Sequence, residues 1–391
     1  MEDARLPPLD SGALPAGIRS RFVENVNGLR MHVLEAGFES VDRPCLLLLH
    51  GFPELAYSWR KVMLPLAEAG YHVIAPDQRG YGRTTGCPAG YDDDLAPFQV
   101  LNLVADMVWL VAALGNRLVT CVIGHDYGSN VAASCALTRP DVFRSVIMMS
   151  APFAPPIALP FAIANKNSSP LLTPGQDKIH RELARLSRPR KHYHLYYSTR
   201  EANGDMANSA QGIHDFLRAY YHHKSADWPG NKPFPLQSWT AEELAKMPTY
   251  YVMDLDKDMA QTSAIEMPSA SQIAACGWLT ESELKFYSSE YQRTGFQGGL
   301  QWYRTRMNGS LRAGLSLFSG RTIDVPSLFI AGNSDWGAYQ SPRSLEQMRD
   351  VACTRMAELH FIDGAGHWVQ QEKPAELCNK VMDFLLTIAR A

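Results

Sequence analysis

Apolar residues alternate with polar ones in Arg21–Val26 and Arg30–Ala36, on either side of Asn27-Gly28. Asn-Gly favours a two-residue hairpin turn, so these runs predict an antiparallel pair. Further along, the alternation gives way to short, almost wholly apolar runs: Cys45–His50, Tyr71–Pro76, Leu118–Ile123 and Phe143–Met149. That is the pattern of strands buried on both faces. Between them, Ser58–Ala69, Gln99–Leu114 and Ser129–Thr138 carry helical apolar spacing, and the first two stop at Gly70 and Gly115. Strand–helix alternation of this kind predicts a mostly parallel sheet with helices on both faces. From Pro152 to about Thr322 prolines cluster, aromatics crowd and strand-like alternation is absent; Pro152–Asn167 reads as too proline-rich for a regular element. The rhythm returns with a strand at Val325–Ala331, a helix at Ser341–Val351, a strand at Met356–Ile362 and a helix at Pro374–Ala389. We therefore expect an α/β core, residues 1–151 and 323–391, with a mainly helical insertion, residues 152–322, after the sixth core strand.

Composition narrows the class. A net charge of −3 over 391 residues supplies no field to gather nucleic acid or an anionic membrane. The N-terminus lacks the apolar stretch of a signal peptide, and no run approaches the roughly 18 apolar residues that cross a bilayer. The seven cysteines are odd in number and scattered, and Cys45 and Cys121 fall inside apolar strands. A reduced, cytoplasmic protein is expected, monomeric or homodimeric, with no nucleic acid partner and no membrane span.

The chemistry gathers where the strand Leu118–Ile123 runs through Gly124-His125-Asp126-Tyr127-Gly128 into a helix. A sharp strand-to-helix turn strains its central residue and lifts that side chain clear of the sheet, as in a nucleophile elbow, here with aspartate in place of serine. Small residues at Gly124 and Gly128 permit the close backbone approach, and the helix N-terminus favours a carboxylate. His50-Gly51-Phe52-Pro53 leaves the first core strand where backbone N–H groups can meet a developing oxyanion. Phe52 and Tyr127 are the expected donors, and the Phe52-Pro53 bond is a candidate for the cis form. His367 lies in the glycine-rich loop Gly364–Trp368 after the last strand, and Asp335 in the loop after Val325–Ala331. The order nucleophile, acid, histidine makes His367 the expected general base and Asp335 its orienting acid. Asp363 is better placed to cap a strand end, and Asp324 precedes its strand.

Aspartate changes the reaction. A carboxylate attacking an ester would form an uphill anhydride, but it can displace a leaving group at an sp³ carbon. Water activated by the histidine then cleaves the resulting alkyl ester. Epoxides and alkyl halides are the natural electrophiles. An epoxide oxygen needs proton or strong hydrogen-bond donors, and protonated phenols suit that task.

The set HGFPELAYSWR (His50–Arg60), Asp77–Gly82, Gly124–Gly128, TGFQGGLQWYR and Gly366–Trp368 closely resembles the soluble epoxide hydrolases of the α/β-hydrolase fold. The resemblance spans roughly residues 20–152 and 323–391, with patches in the insertion, which it identifies as a cap. It implies an enzyme without cofactor or metal that takes a small apolar epoxide and water. Two cap tyrosines would hold the epoxide oxygen: Tyr303, through Trp302-Tyr303-Arg304, and Tyr193, with Tyr196 or Tyr197 as substitutes if the cap aligns one turn off. Pro53, Trp59, Trp302 and Trp368, from the same motifs, are assigned to substrate binding. Tyr127 departs from the tryptophan common at that position, which alters pocket shape more than mechanism. With only 49 residues before His50, the N-terminal phosphatase domain of the bifunctional animal enzymes is not expected.

Other signals are set aside. Asp254-Leu255-Asp256-Lys257-Asp258 imitates the start of a calcium loop, but Met259 stands where glycine belongs and Ile265 where the bidentate glutamate belongs. His192/His194 and His222/His223 are read as surface pairs without further metal ligands. Gly80-Tyr81-Gly82 lacks the third glycine of a dinucleotide loop. Two rivals remain: a haloalkane dehalogenase sharing Asp126, Asp335 and His367, and a binding protein of the same fold with residual activity.

Overall fold

A computed structural model describes residues 6–9, 11–40, 42–156, 176–308 and 313–390. β1 (Ile18–Val26) and β2 (Leu29–Ala36) form the hairpin, turning through Asn27 and Gly28, both at positive φ. β3 (Cys45–Leu49), β4 (His72–Pro76), β5 (Cys121–His125) and β6 (Val146–Met149) follow, separated by α1 (Arg60–Glu68), α2 (Val100–Ala113) and α3 (Tyr127–Thr138). After the insertion come β9 (Ser327–Gly332) and β10 (Met356–Ile362). The eight strands make one sheet in the order β1-β2-β4-β3-β5-β6-β9-β10, parallel except where β2 meets β1 and β4. Burial explains the composition: β3, β5, β6 and β9 are buried at every position, so both faces must be apolar, whereas the edge strands β1 and β10 expose polar residues.

Between β6 and β9 the described residues form α4 (Gln176–Ala184), β7 (Arg190–His192), α5 (Tyr193–Tyr197), α6 (Glu201–Ala207), α7 (Gly212–Lys224) and α8 (Ala241–Leu244). They continue through β8 (Val252–Asp254), α9 (Met259–Ala264), α10 (Ala270–Ala275), α11 (Glu281–Thr294) and α12 (Gln297–Met307). The helices start where the side chains say they should: Asp258, Ser269 and Thr280 each cap an N-terminus in a reciprocal box with Gln261, Gln272 and Glu283. Two ion pairs, each with one buried partner, tie the insertion to the core, Arg60 to Glu283 at 2.8 Å and Arg83 to Glu290 at 2.8 Å.

Two expectations need correction, and two others gain detail. The helices of the insertion are joined by one short ladder, β7 paired antiparallel with β8; three residues each are too few to show a period. The helix expected over residues 341–351 is broken: Arg343 is left-handed, α13 covers only Ser344–Gln347, and Met348–Ala352 is a wider turn. The histidine pairs are not surface residues: His192, His222 and His223 are buried and His194 is partly so. Asp254, the first residue of the calcium-loop imitation set aside above, ends β8 and pairs with Arg188 at 2.6 Å. Of the proline-rich stretch 152–167, residues 152–156 form no helix or strand and 157–167 lie outside the described residues. The chain closes with α14 (Val369–Glu372) and α15 (Pro374–Ala389). Along α15, Leu377, Cys378, Val381, Phe384 and Leu385 form the buried stripe, and Pro374 sits in the first turn where its missing N–H costs nothing.

Candidate active site

Asp126 stands between β5 and α3 at φ 54°, ψ −120°, a strained conformation for any residue but glycine. The strain is enforced by crowding. A Cβ on Gly124 would lie 2.0 Å from the Gly128 carbonyl oxygen, and one on Gly128 would lie 2.3 Å from that of Leu49, so no side chain fits where the helix crosses the strands. The Asp126 N–H is held by the Met149 carbonyl at 3.1 Å, which fixes the elbow to β6.

Three loops converge on the Asp126 carboxylate. From the turn after β3, the Phe52 N–H donates to Oδ1 at 3.1 Å, and the Phe52-Pro53 bond is cis. From the loop after β10, His367 Nε2 stands 3.3 Å from Oδ2. On the other side of the ring, His367 Nδ1 is 3.0 Å from Asp335 Oδ1. Asp335 follows β9 and caps a short 3₁₀ turn, accepting the Gly337 N–H at 2.7 Å, which aims its carboxylate at the histidine. Tyr127 occupies the first position of α3, where helix N–H groups have no intrahelical acceptor.

The charges reinforce one another. Burial alone would raise the Asp126 carboxyl, but the His367 side chain and the charges of His367 and Lys224 hold it well below the usual carboxylate range. For His367, burial and the Lys224 charge press the imidazole down, yet the Asp335 carboxylate and the contacts with Asp126 and Asp335 outweigh both and raise it. Asp335 is lowered, its burial outweighed by His367, Ser150 and the Gly337 N–H. Asp126 and Asp335 are thus both held as carboxylates, one on each side of the His367 ring.

The carboxylate faces a cavity of about 210 Å³ whose far wall comes from the insertion. Tyr193, the first residue of α5, and Tyr303, in α12, both line it. Burial, followed by the Asp126 charge, pushes both phenols well above their ordinary value, so both stay protonated and able to donate. Tyr193 donates to Gln340 Oε1 at 3.0 Å, a core residue just past Asp335. Tyr196 and Tyr197 do not line the cavity: Tyr196 donates to Asp205 at 2.9 Å and Tyr197 to Tyr220 at 3.2 Å. A second, larger space of about 700 Å³ meets the first at Tyr127, Asn130 and Arg306, with Phe98, Leu103 and Phe153 among its walls.

Pro53, Trp59, Trp302 and Trp368, expected at the substrate, are absent from the wall of the Asp126 cavity. The three indoles are core side chains, each almost wholly buried. Trp302 Nε1 donates to the Arg79 carbonyl at 3.0 Å and Trp368 Nε1 to that of Tyr221 at 2.8 Å, while the Pro53 carbonyl accepts from the Tyr221 hydroxyl at 3.3 Å. They position the loops instead of touching the cavity. Conversely, His192 and His194, set aside as surface residues, line it together with His180 and Trp239. Burial, followed by neighbouring positive charge, pushes the His192 imidazole down to about 3. The two histidines flank Tyr193 in the chain, and that adjacency was the available signal. Among the described residues no cluster of three or more His, Cys, Asp or Glu is arranged to hold a metal, and no helix is long and apolar enough to cross a membrane.

Comparison with known proteins agrees with this geometry. The alpha/beta hydrolase fold family model matches residues 44–374. Epoxide hydrolase A of Mycobacterium tuberculosis is 34% identical over 375 residues, which is 94% of this chain and 98% of that protein. An epoxide hydrolase of Caballeronia sordidicola is 30% identical over 363 residues, 93% of this chain and 92% of its own. Among solved structures, potato (Solanum tuberosum) epoxide hydrolase I superposes with a TM-score of 0.71 at 29% identity, over 95% of this chain and 99% of that one. With its sheet order, its elbow and these relatives in agreement, the chain belongs to the α/β-hydrolase fold family and, within it, to the epoxide hydrolases.

Proposed function

We propose that this chain converts small apolar epoxides to vicinal diols in two covalent half-reactions. In the first, the Asp126 carboxylate attacks one oxirane carbon. A carbon–oxygen ester bond forms, the ring carbon–oxygen bond breaks, and Tyr303 and Tyr193 stabilise the released alkoxide, which takes up a proton. In the second, His367 removes a proton from water, and the hydroxide attacks the Asp126 carboxyl carbon. The Phe52 and Tyr127 N–H groups hold the tetrahedral oxyanion; its collapse releases the diol and restores the Asp126 carboxylate, and the imidazolium gives back its proton to replace the one the alkoxide took up. Asp335 keeps the imidazole oriented and stabilises its charged form.

The observation that carries this reading is the pairing, across one cavity, of an ionised Asp126 beside His367 with two protonated phenols from the opposite wall. The phenols distinguish the epoxide from a halide, which leaves without needing a proton. Residues 152–322 act in this scheme as a cap that brings Tyr193 and Tyr303 over the elbow. Seven cysteines without a disulfide support a reducing, cytoplasmic setting.

The test separates the half-reactions. His367→Gln should still be alkylated and then stall, so that, mixed with styrene oxide, it gains the full mass of one substrate on the peptide containing Asp126. A haloalkane would instead add its mass less the halogen acid. A folded His367→Gln protein that binds the epoxide yet never acquires the adduct, where wild type turns over, overturns the covalent scheme.

A further inference from the structure

We infer that Glu372 is a positioning residue for the hydrolytic half-reaction, holding the His367 backbone in register with the insertion that covers the cavity. The inference rests on the two-step reading above. Glu372 ends α14, five positions after His367, and does not line the Asp126 cavity. Its carboxylate reaches back to three backbone donors. Oε2 accepts from Gly366 at 2.9 Å and from Ala226 at 2.8 Å, and Oε1 accepts from Trp368 at 2.9 Å. The amide between them, that of His367, donates to the Lys224 carbonyl at 2.9 Å. The three consecutive N–H groups at positions 366, 367 and 368 are thus held by one core side chain and by the last residue of α7.

Ala226 belongs to the insertion, two residues past the end of α7, so a single carboxylate bridges the base-bearing loop and the cap. The two backbones also touch. A Cβ on Gly366 would lie 2.4 Å from the Ala226 nitrogen and 2.4 Å from the Ser225 carbonyl carbon. The imidazole therefore cannot tilt about its backbone without displacing the end of α7. Among the described residues no Lys, Arg or His forms an ion pair with Glu372, and burial pushes its carboxyl up to about 7 in spite of the three donors. Glu372 is itself only partly buried, and its one carboxylate supplies all three acceptor contacts that tie the loop to the insertion.

The division of labour says which half-reaction depends on it. Alkylation uses Asp126, Tyr193 and Tyr303, and none of these contacts Glu372. Hydrolysis uses His367, whose ring is fixed at Nδ1 by Asp335 and whose backbone is fixed by Glu372 and Lys224. Glu372→Gln preserves volume but turns an NH₂ group toward an N–H donor, loosening the loop by a fraction of an ångström. Displacements of about 1 Å at a catalytic group cost on the order of a hundredfold.

Rapid mixing of Glu372→Gln with styrene oxide, read by intact-protein mass and by diol release, tests this. Hydrolysis of the Asp126 ester should slow roughly tenfold to a hundredfold, while alkylation stays within about threefold of wild type. kcat and KM should fall together, and the adduct should stand on Asp126 at steady state. Equal slowing of both steps would mean a general structural role and overturn the inference; so would unchanged rates. Glu372→Asp keeps the charge but cannot span the three donors, and it must show the same selective slowing if the Gln variant folds poorly. His367→Gln is run alongside. If it gains no adduct, the covalent reading itself fails; if it gains one and the Glu372 variants do not slow selectively, only the present inference fails.

Discussion

The two walls of the cavity are built on different principles. On the core side, Asp126, Asp335 and His367 sit on turns whose shape is imposed by the backbone. The elbow is closed by Gly124 and Gly128 against neighbouring carbonyls, and the acid's loop by a capped turn. On the insertion side, Tyr193 and Tyr303 sit on helices positioned by ring against ring: Phe52 lies edge-on to both Tyr197 and Tyr303, and Tyr193 against Tyr197 and Tyr251. Backbone-imposed geometry tolerates almost no change, whereas packed rings can shift together and still meet a substrate. The core wall should fail abruptly under mutation and the insertion wall by degrees.

The largest effect expected on that contrast comes from Asp126→Gly. Turnover should drop by at least about 10⁴-fold because no nucleophile remains. Stability measured by thermal melting should rise by about 1 kcal/mol, because glycine adopts the elbow conformation without strain. A variant that loses activity without gaining stability would show that the elbow is not strained as its φ implies.

On the other wall, Tyr303→Phe should lower the alkylation rate roughly a hundredfold, the usual cost of one donor to a developing oxyanion. Tyr193→Phe should cost less, since its hydroxyl must first leave Gln340. The double variant should be almost inactive yet folded. Near-normal turnover by the double variant would remove the phenols from the mechanism.

The third expectation concerns pH. In the proposed scheme His367 serves as base only when neutral, so hydrolysis should be lost as pH falls through its raised pKa, and the acid limb should lie above the ordinary histidine value of about 6.5. Removing the Asp335 charge in Asp335→Asn lets burial and Lys224 dominate and moves the limb down. Removing the Lys224 charge in Lys224→Gln moves it up. Shifts in the same direction would contradict the balance of charges described here.

A last pair of variants separates the walls by stability alone, down to the smallest effect expected. Gly204, in α6 of the insertion, has open space around a would-be Cβ, and Gly204→Ala should stabilise by about 0.5–1 kcal/mol. Gly128→Ala, with a carbonyl oxygen 2.3 Å from the new atom, should destabilise markedly or fail to fold. Equal melting temperatures for the two variants would erase the distinction.

What could be read from the sequence follows the same divide. The elbow, the HGFP turn, the loop histidine and Asp335 announce themselves through glycine, proline and chain order, which encode backbone shape, and the structure brings those residues together. β10 and α15 run over the very residues their periodicity predicts. Residues whose role depends on tertiary neighbours were misread. Nothing local says that Trp59, Trp302 and Trp368 turn into the core, or that His192 and His194 face a cavity. A three-residue ladder such as β7–β8 has no period to detect, and Arg343 in the left-handed region broke a helix whose apolar spacing looked sound.

The place where the insertion joins the core bears on how such a protein can change over generations. β6 and β9 are neighbours, paired in parallel from Val146 opposite Ser327 to Met149 opposite Ile330. The insertion leaves from the end of one and re-enters near the start of the other, as any ordinary crossover in a parallel sheet would. Its length is therefore invisible to the register of the strands. A longer, shorter or different segment could join the same two strands without disturbing the eight-stranded frame or its elbow.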